Sequence, residues 1–157
     1  MPVVDEKELL NILQKNRKGK KVVTVNGCFD LLHAAHVRLL KKAKSEGDYL
    51  VVLLNSDSSV RKYKGEKRPI VPQNERAELL SALSCVDFVV VFNEDDPLSL
   101  LELIKPEVHV KGGSFVPERV SDEKLLVEKH GGQLKFFGLE KGFSTTNIIE
   151  KVLEKHN

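Results

Sequence analysis

His33 and His36, three residues apart, are the first residues here whose type and spacing suggest chemistry. They close the stretch Thr24-Val25-Asn26-Gly27-Cys28-Phe29-Asp30-Leu31-Leu32-His33-Ala34-Ala35-His36-Val37. In it an apolar strand end meets a turn at Asn26-Gly27, a pair tolerant of positive φ, and then a helix with Val37, Leu39, Leu40 and Ala43 as apolar positions. The spacing puts both imidazoles on one face of that helix's first turn. The same turn offers unpaired backbone N–H groups and the positive end of the helix dipole, which favour an anion. Together these groups suit a phosphate that gains charge during a reaction. A lone histidine in such a helix is ordinarily packing, and a pair at this spacing is also half a zinc site. Zinc would need further ligands, and Cys28, Cys85, His109 and His130 show no clustered spacing for it.

Other groups could join the same site. Ser144-Thr145-Thr146 opens the last expected helix and offers hydroxyls and amides to a phosphate chain, or simply caps the helix. Lys62 and Lys64, with Arg68, stand in a basic run over 61–69 expected as a long loop, either a solvated surface or a lid over phosphates. Arg76 could reach those phosphates or pair with Glu75 or Glu78 at the surface. Lys111 ends a buried strand, where it needs an anionic partner or water. Gly112-Gly113 after it lets backbone approach a flat ring, or forms a plain turn. Cys28 and Cys85 read as small packing residues.

The elements that must position these residues alternate regularly. Helices are expected over Asp5–Asn16, about His33–Glu46, Pro72–Leu83 (Leu79, Leu80 and Leu83 inward), Pro97–Ile104, Ser121–His130 with Ser121 as N-cap, and from the Ser144 region to about Lys155. Strands are expected over Lys20–Val25, Tyr49–Leu54, Asp87–Phe92, Glu107–Lys111 and Gln133–Phe137, with Asn55-Ser56-Asp57 a polar loop. Most of the strands are apolar on both faces, the pattern of a parallel sheet covered by helices on each side. Right-handed crossovers make this an α/β, doubly wound, five-stranded parallel sheet of order 3-2-1-4-5, three-layer α/β/α and Rossmann-like. Ligands of such sheets sit beyond the strands' carboxyl ends where the order reverses, which sets Asn26–His36 beside Lys111-Gly112-Gly113. Neither the dinucleotide fingerprint nor a Walker-type loop follows the first strand.

The 157 residues are expected to form one domain, with 1–19 as an N-terminal helical extension. Apolar residues at 41% and charged residues at 31% fit a soluble globular protein, and a net charge of +2 argues against nucleic-acid binding. Two distant cysteines suggest reduced thiols and a cytoplasmic home. The acidic N-terminus shows no signal segment, and no apolar run nears the roughly 20 residues that span a bilayer.

These residues resemble the nucleotidyltransferase superfamily whose signature is His-x-Gly-His with a later Ser-Thr-Thr element. Asn26–His33, Val52–Asp57, Lys64–Val71, Val110–Gly113 and Gly142–Ile149 look like the adenylyltransferase domain of the bacterial ADP-heptose synthases, over about Lys20–Leu153. The resemblance implies ATP with Mg²⁺ and a sugar 1-phosphate, D-glycero-D-manno-heptose 1-phosphate, as substrates, with AMP transferred to give an ADP-sugar and pyrophosphate released. It assigns catalysis to His33, His36, Lys62 and Lys64. Nucleotide binding falls to Asn26, Gly27, Cys28, Phe29, Arg76, Lys111, Gly112, Gly113, Ser144, Thr145 and Thr146, and substrate binding to Asp30, Asn55 and Asp57. Two positions depart from the pattern: Ala35 replaces the signature glycine, and Ser114 stands where heptose enzymes commonly carry Asp. Glycerol-3-phosphate cytidylyltransferases, which use CTP, share the architecture but typically carry an Arg where this chain has Gly138-Leu139-Glu140-Lys141. A non-catalytic nucleotide-binding module is the alternative from another class, and a homodimer is one assembly the chain could form.

Overall fold

The computed structural model describes residues 2–113, 117–138 and 144–157. Expectations that fall on Ser114, on Leu139–Lys141 and on Gly142-Phe143 lie outside the described residues. The chain order is α1 (Glu6–Asn16), β1 (Val22–Gly27), α2 (Ala34–Lys44), β2 (Tyr49–Asn55), α3 (Asp57–Lys64), α4 (Gln73–Ser81), β3 (Phe88–Phe92), α5 (Leu98–Ile104), β4 (Val108–Gly112), α6 (Pro117–Lys129), β5 (Gln133–Phe137) and α7 (Thr145–His156). The five strands form one sheet of order β3-β2-β1-β4-β5, every pair parallel. This is the Rossmann-like order expected from the apolar runs.

Strand alternation divides the core in two. Val23 and Val25 of β1, with Leu50, Val52 and Leu54 of β2, pack against Leu40 and Ala43 of α2 and Ala77 and Leu80 of α4. Val22, Val51 and Leu53 face the other way, toward Leu9 and Leu13 of α1, Leu101 and Ile104 of α5 and Val127 of α6. The N-terminal segment is part of this second layer, for Val4 N–H donates to the Val89 carbonyl at 3.0 Å. Among the described residues no helix is long and apolar enough to cross a membrane.

Three expectations are corrected. The first part of the basic run is helix α3, not loop: the Ser56 hydroxyl accepts from Ser59 N–H at 3.2 Å as N-cap, Asp57 sits in the first turn, and Val60 is fully buried. Helix α6 starts at Pro117, so Ser121 lies inside it rather than capping it. Leu79 points outward, 49% exposed, while Leu80 carries the α4 contact.

Candidate active site

At the carboxyl ends of β1 and β4 the sheet order reverses, and there a cleft of about 510 Å³ opens. One wall is the β1–α2 connection, Asn26 to His36, and the others come from Lys64 and Arg68, from the end of β4, and from the start of α7. The connection is strained: Phe29 and Leu31 hold φ of 47° and 43°, a left-handed conformation unfavourable to bulky side chains.

His33 is the N-cap of α2, with φ −136° and ψ 176°, rather than a residue of its first turn. His36 stands at the third helical position, and the two rings are stacked, centroids 3.8 Å apart and planes at 21°. The Phe29 ring meets His36 edge-on at 5.3 Å. His36 Nδ1 accepts from the His33 backbone N–H at 3.3 Å, which leaves Nε2 to carry the proton of a neutral imidazole. Burial, then the neighbouring His33 ring and Lys64, push the His36 pKa from 6.5 down to about 4. His36 is therefore a neutral hydrogen-bond donor at pH 7. Ala35 lines the same wall, so its methyl borders ligand space.

Across the cleft, Ser144 caps α7 by accepting from Asn147 N–H at 2.9 Å. The N–H groups of Thr145 and Thr146 precede the first intrahelical bond, Ile148 N–H to the Ser144 carbonyl, and so belong to the anion-binding end of α7. The Thr145 hydroxyl donates to the Asp30 carbonyl, tying α7 to the β1–α2 connection. Arg68 completes this end: its Nε donates to Asp30 Oδ2 at 2.9 Å, and its Nη2 is buried with no protein partner among the described residues. A phosphate oxygen would satisfy it.

Of the residues expected at the site, the structure gathers His33, His36, Lys64, Asn26, Gly27, Cys28, Phe29, Asp30, Asn55, Lys111, Gly112, Gly113, Ser144, Thr145 and Thr146 on the cleft wall. Burial pushes the Cys28 thiol up, keeping it protonated. Asp30 faces the cleft, yet its carboxylate already accepts from Arg68 and from the N–H groups of Ile70 (2.9 Å) and Val71 (3.0 Å). Burial opposes its ionisation, but those three donors outweigh it and hold the carboxyl below its usual value. The Asn55 amide is spent on Ser59 Oγ at 3.0 Å. A Cβ on Gly112 would lie 2.7 Å from both δ-carbons of Leu39, so this glycine makes room for α2. Gly113, with φ 82°, is there for the turn.

Three expected residues lie elsewhere. Arg76 is 1% exposed and donates from Nε to the Val71 carbonyl, from Nη1 to the carbonyls of Cys28 and Asn55, and from Nη2 to Asp57 Oδ1. It fastens the loops behind the cleft and does not line it, and Asp57 is its ion-pair partner. Lys62 does not line the cavity: its exposed side chain pairs with Asp95 of the cleft rim at 2.8 Å.

The cleft also holds residues that the sequence reading passed over. Arg38, Leu39 and Lys42 continue the α2 face, with the Lys42 ammonium 4.3 Å from the Phe137 ring centroid. Their spacing from Ala35, three, four and seven residues on, is the available signal. Asp95, Asp96 and Arg119 form the opposite rim, where Arg119 lies 4.9 Å over the Tyr63 ring and donates to the Asp95 carbonyl. Glu123 of α6 enters the wall beside Lys111.

Comparison with known proteins gives concordant results. A family model described as cytidylyltransferase-like matches residues 24–151. The bifunctional protein HldE of Pelobacter propionicus is 49% identical over 156 residues, 98% of this chain and 32% of that protein. The chain thus spans about a third of the length of the curated relatives it matches. The solved structure of a lipopolysaccharide core biosynthesis protein from Thermoplasma volcanium is 31% identical with a TM-score of 0.64, covering 78% of this chain and 98% of that one. A pantoate-beta-alanine ligase from Francisella tularensis, 16% identical with a TM-score of 0.59 over 98% of this chain and 79% of that one, shares the fold.

Proposed function

The chain belongs to the cytidylyltransferase-like family, and from that premise we propose that it is an adenylyltransferase moving AMP from ATP to a sugar 1-phosphate, D-glycero-D-manno-heptose 1-phosphate first among candidates. The observation that carries this reading is the stacked His33–His36 pair at the entrance of α2, facing one cleft with the N-terminus of α7. The kinship with HldE proteins and the resemblance of the cleft segments to heptose adenylyltransferases favour ATP and a sugar phosphate over CTP and a polyol phosphate.

In the proposed reaction a phosphate oxygen of the sugar 1-phosphate attacks the α-phosphorus of ATP. A new P–O bond forms as the bridging bond to the β-phosphate breaks, and pyrophosphate leaves with the electron pair. Such transfers depend on placement and charge stabilisation more than on a protein nucleophile. His36 Nε2–H, with His33 stacked behind it, would donate to the phosphates as charge builds. Lys64 and Arg68 Nη2 would neutralise the leaving pyrophosphate, and the amides at the start of α7 would hold its oxygens. Asn26, Lys111 and the β4 turn would border the nucleoside or the sugar.

Magnesium would arrive on the nucleotide. Among the described residues no group of three His, Cys, Asp or Glu is placed to hold a metal ion, and the Asp30 oxygens already take three hydrogen bonds. That donor set fits an ion carried by phosphates and water, which neutralises triphosphate charge when bound. We further propose a soluble, cytoplasmic enzyme, homodimeric if it associates, with no nucleic-acid or membrane partner.

Pyrophosphate release with ATP or CTP, over a panel of sugar and polyol phosphates, tests the reading. ATP-selective release with a heptose 1-phosphate supports it. CTP-selective release with glycerol 3-phosphate supports the cytidylyltransferase instead, and tight nucleotide binding without turnover supports a binding module.

A further inference from the structure

A polar chain runs from the buried sheet interior to the cleft wall, and of its members the proposed reaction takes only Asn26 and Lys111. The β1–β4 register pairs Thr24 with His109, and alternation brings the next residues on that face, Asn26 and Lys111, together at the strand ends. The contacts follow: Thr24 Oγ1 lies 2.7 Å from His109 Nδ1, and Lys111 Nζ donates to Asn26 Oδ1 at 2.9 Å. Helix α6 lays Glu123 across both rungs. Its Oε1 accepts from Lys111 Nζ at 3.2 Å, its Oε2 is 3.0 Å from the same ammonium, and Oε2 stands 3.4 Å from His109 Nε2. Glu123 is 1% exposed and His109 fully buried, while Lys111 reaches the cleft wall.

Burying a carboxylate this deep is strongly unfavourable unless it is paired, so its position is not incidental. Burial, the first influence on His109, lowers its pKa and keeps it neutral. Burial also opposes ionisation of Glu123, but His109 and Lys111 outweigh it and hold the carboxyl below its usual value. One anion therefore faces one cation, with a neutral imidazole wedged behind.

We propose that Glu123 is a positioning residue: it seats the Lys111 ammonium beside Asn26, so that Lys111 meets the nucleotide only from a place built by α6. The role rests on the nucleotide reading of the cleft. His109, held by Thr24, stands behind the carboxylate with its Nε2 3.4 Å from Oε2, and Asn26 accepts from the ammonium on the β1 side. Glu123 acts through Lys111 alone.

The test is a double-mutant cycle on ATP affinity, measured by calorimetry on the full chain with Glu123→Gln, Lys111→Met and the pair. Glu123→Gln should weaken ATP binding about tenfold and add nothing further in the Lys111→Met background. A separate readout is the ¹⁵N-detected signal of the Lys111 ammonium, which should be protected from proton exchange in the native chain and lose that protection in Glu123→Gln. If Glu123→Gln does not fold, Glu123→Asp carries the same cycle. Unchanged ATP affinity, additive losses, or a Lys111 ammonium exchanging like a surface lysine in the native chain would overturn the proposal. Failure of the native chain to bind ATP or CTP would overturn the nucleotide reading instead, while the ammonium signal still decides whether Glu123 seats Lys111.

Discussion

His36 Nδ1 accepts the backbone N–H of His33 at 3.3 Å, and this contact settles which nitrogen of His36 can face a ligand. The proton sits on Nε2, and the ring enters the cleft as a neutral donor. In the unfolded chain His36 titrates near 6.5, and in the folded chain near 4. Between those values the unfolded chain holds a proton that the folded chain lacks, so this group makes stability fall as pH falls through that window. Bound triphosphate brings negative charge to the ring and should raise its pKa. Histidine NMR titration with and without ATP checks this: an upward shift is expected, and an unmoved pKa would place the phosphates elsewhere.

Arg76 should matter for folding rather than for phosphate contact. Removing its guanidinium leaves the carbonyls of Val71, Cys28 and Asn55 and the Asp57 carboxylate without their donor. Arg76→Met should cost about 3–5 kcal/mol in chemical denaturation. The folded fraction should bind ATP within a few-fold of native. Lost ATP affinity at full stability would return Arg76 to the site.

Asp30 holds the 68–71 segment against the β1–α2 connection through three donors. Asp30→Asn should cost about 1–3 kcal/mol, since at least one buried donor loses its acceptor. Because the folded carboxyl lies below the unfolded value near 3.8, its contribution is complete above that value and lost as pH falls through the lower folded one. Denaturation of native and Asp30→Asn chains across acid pH should therefore converge at the lowest pH. A constant gap at every pH would contradict the assignment.

Gly112→Ala tests packing against ligand approach. The new methyl would meet Leu39, and overpacking of this kind costs about 1–3 kcal/mol. Combining it with Leu39→Ala should recover part of that loss in a double-mutant cycle. Loss of ATP affinity with unchanged stability would mean the glycine serves the ligand after all.

The fold was legible because the strands declare themselves. Val51–Leu54 and Phe88–Phe92 are continuous apolar runs and Val22–Val25 is broken only by Thr24, and a covered parallel sheet is the arrangement that buries both their faces. The reversal point between β1 and β4 then placed Asn26, His33, His36 and Lys111 together. Lys62 lies outside the cavity because the charge density of 61–69 hides a short helix whose evidence is local, the Ser56 cap and one buried apolar residue, Val60. Arg76 departs from the expectation because a buried arginine looks like a surface one in sequence until the carbonyls around it are known. His109 and Glu123 could not be paired from the sequence. Their contact depends on the β1–β4 register and on where α6 crosses the sheet.

The central claim is that His36 donates to a nucleotide's phosphates during transfer, and its most direct test is steady-state pyrophosphate release from ATP and heptose 1-phosphate by the native chain and by His36→Ala. His36→Ala should lower kcat about 10²–10³-fold with the fold intact by circular dichroism. Turnover by His36→Ala within a few-fold of native would contradict it.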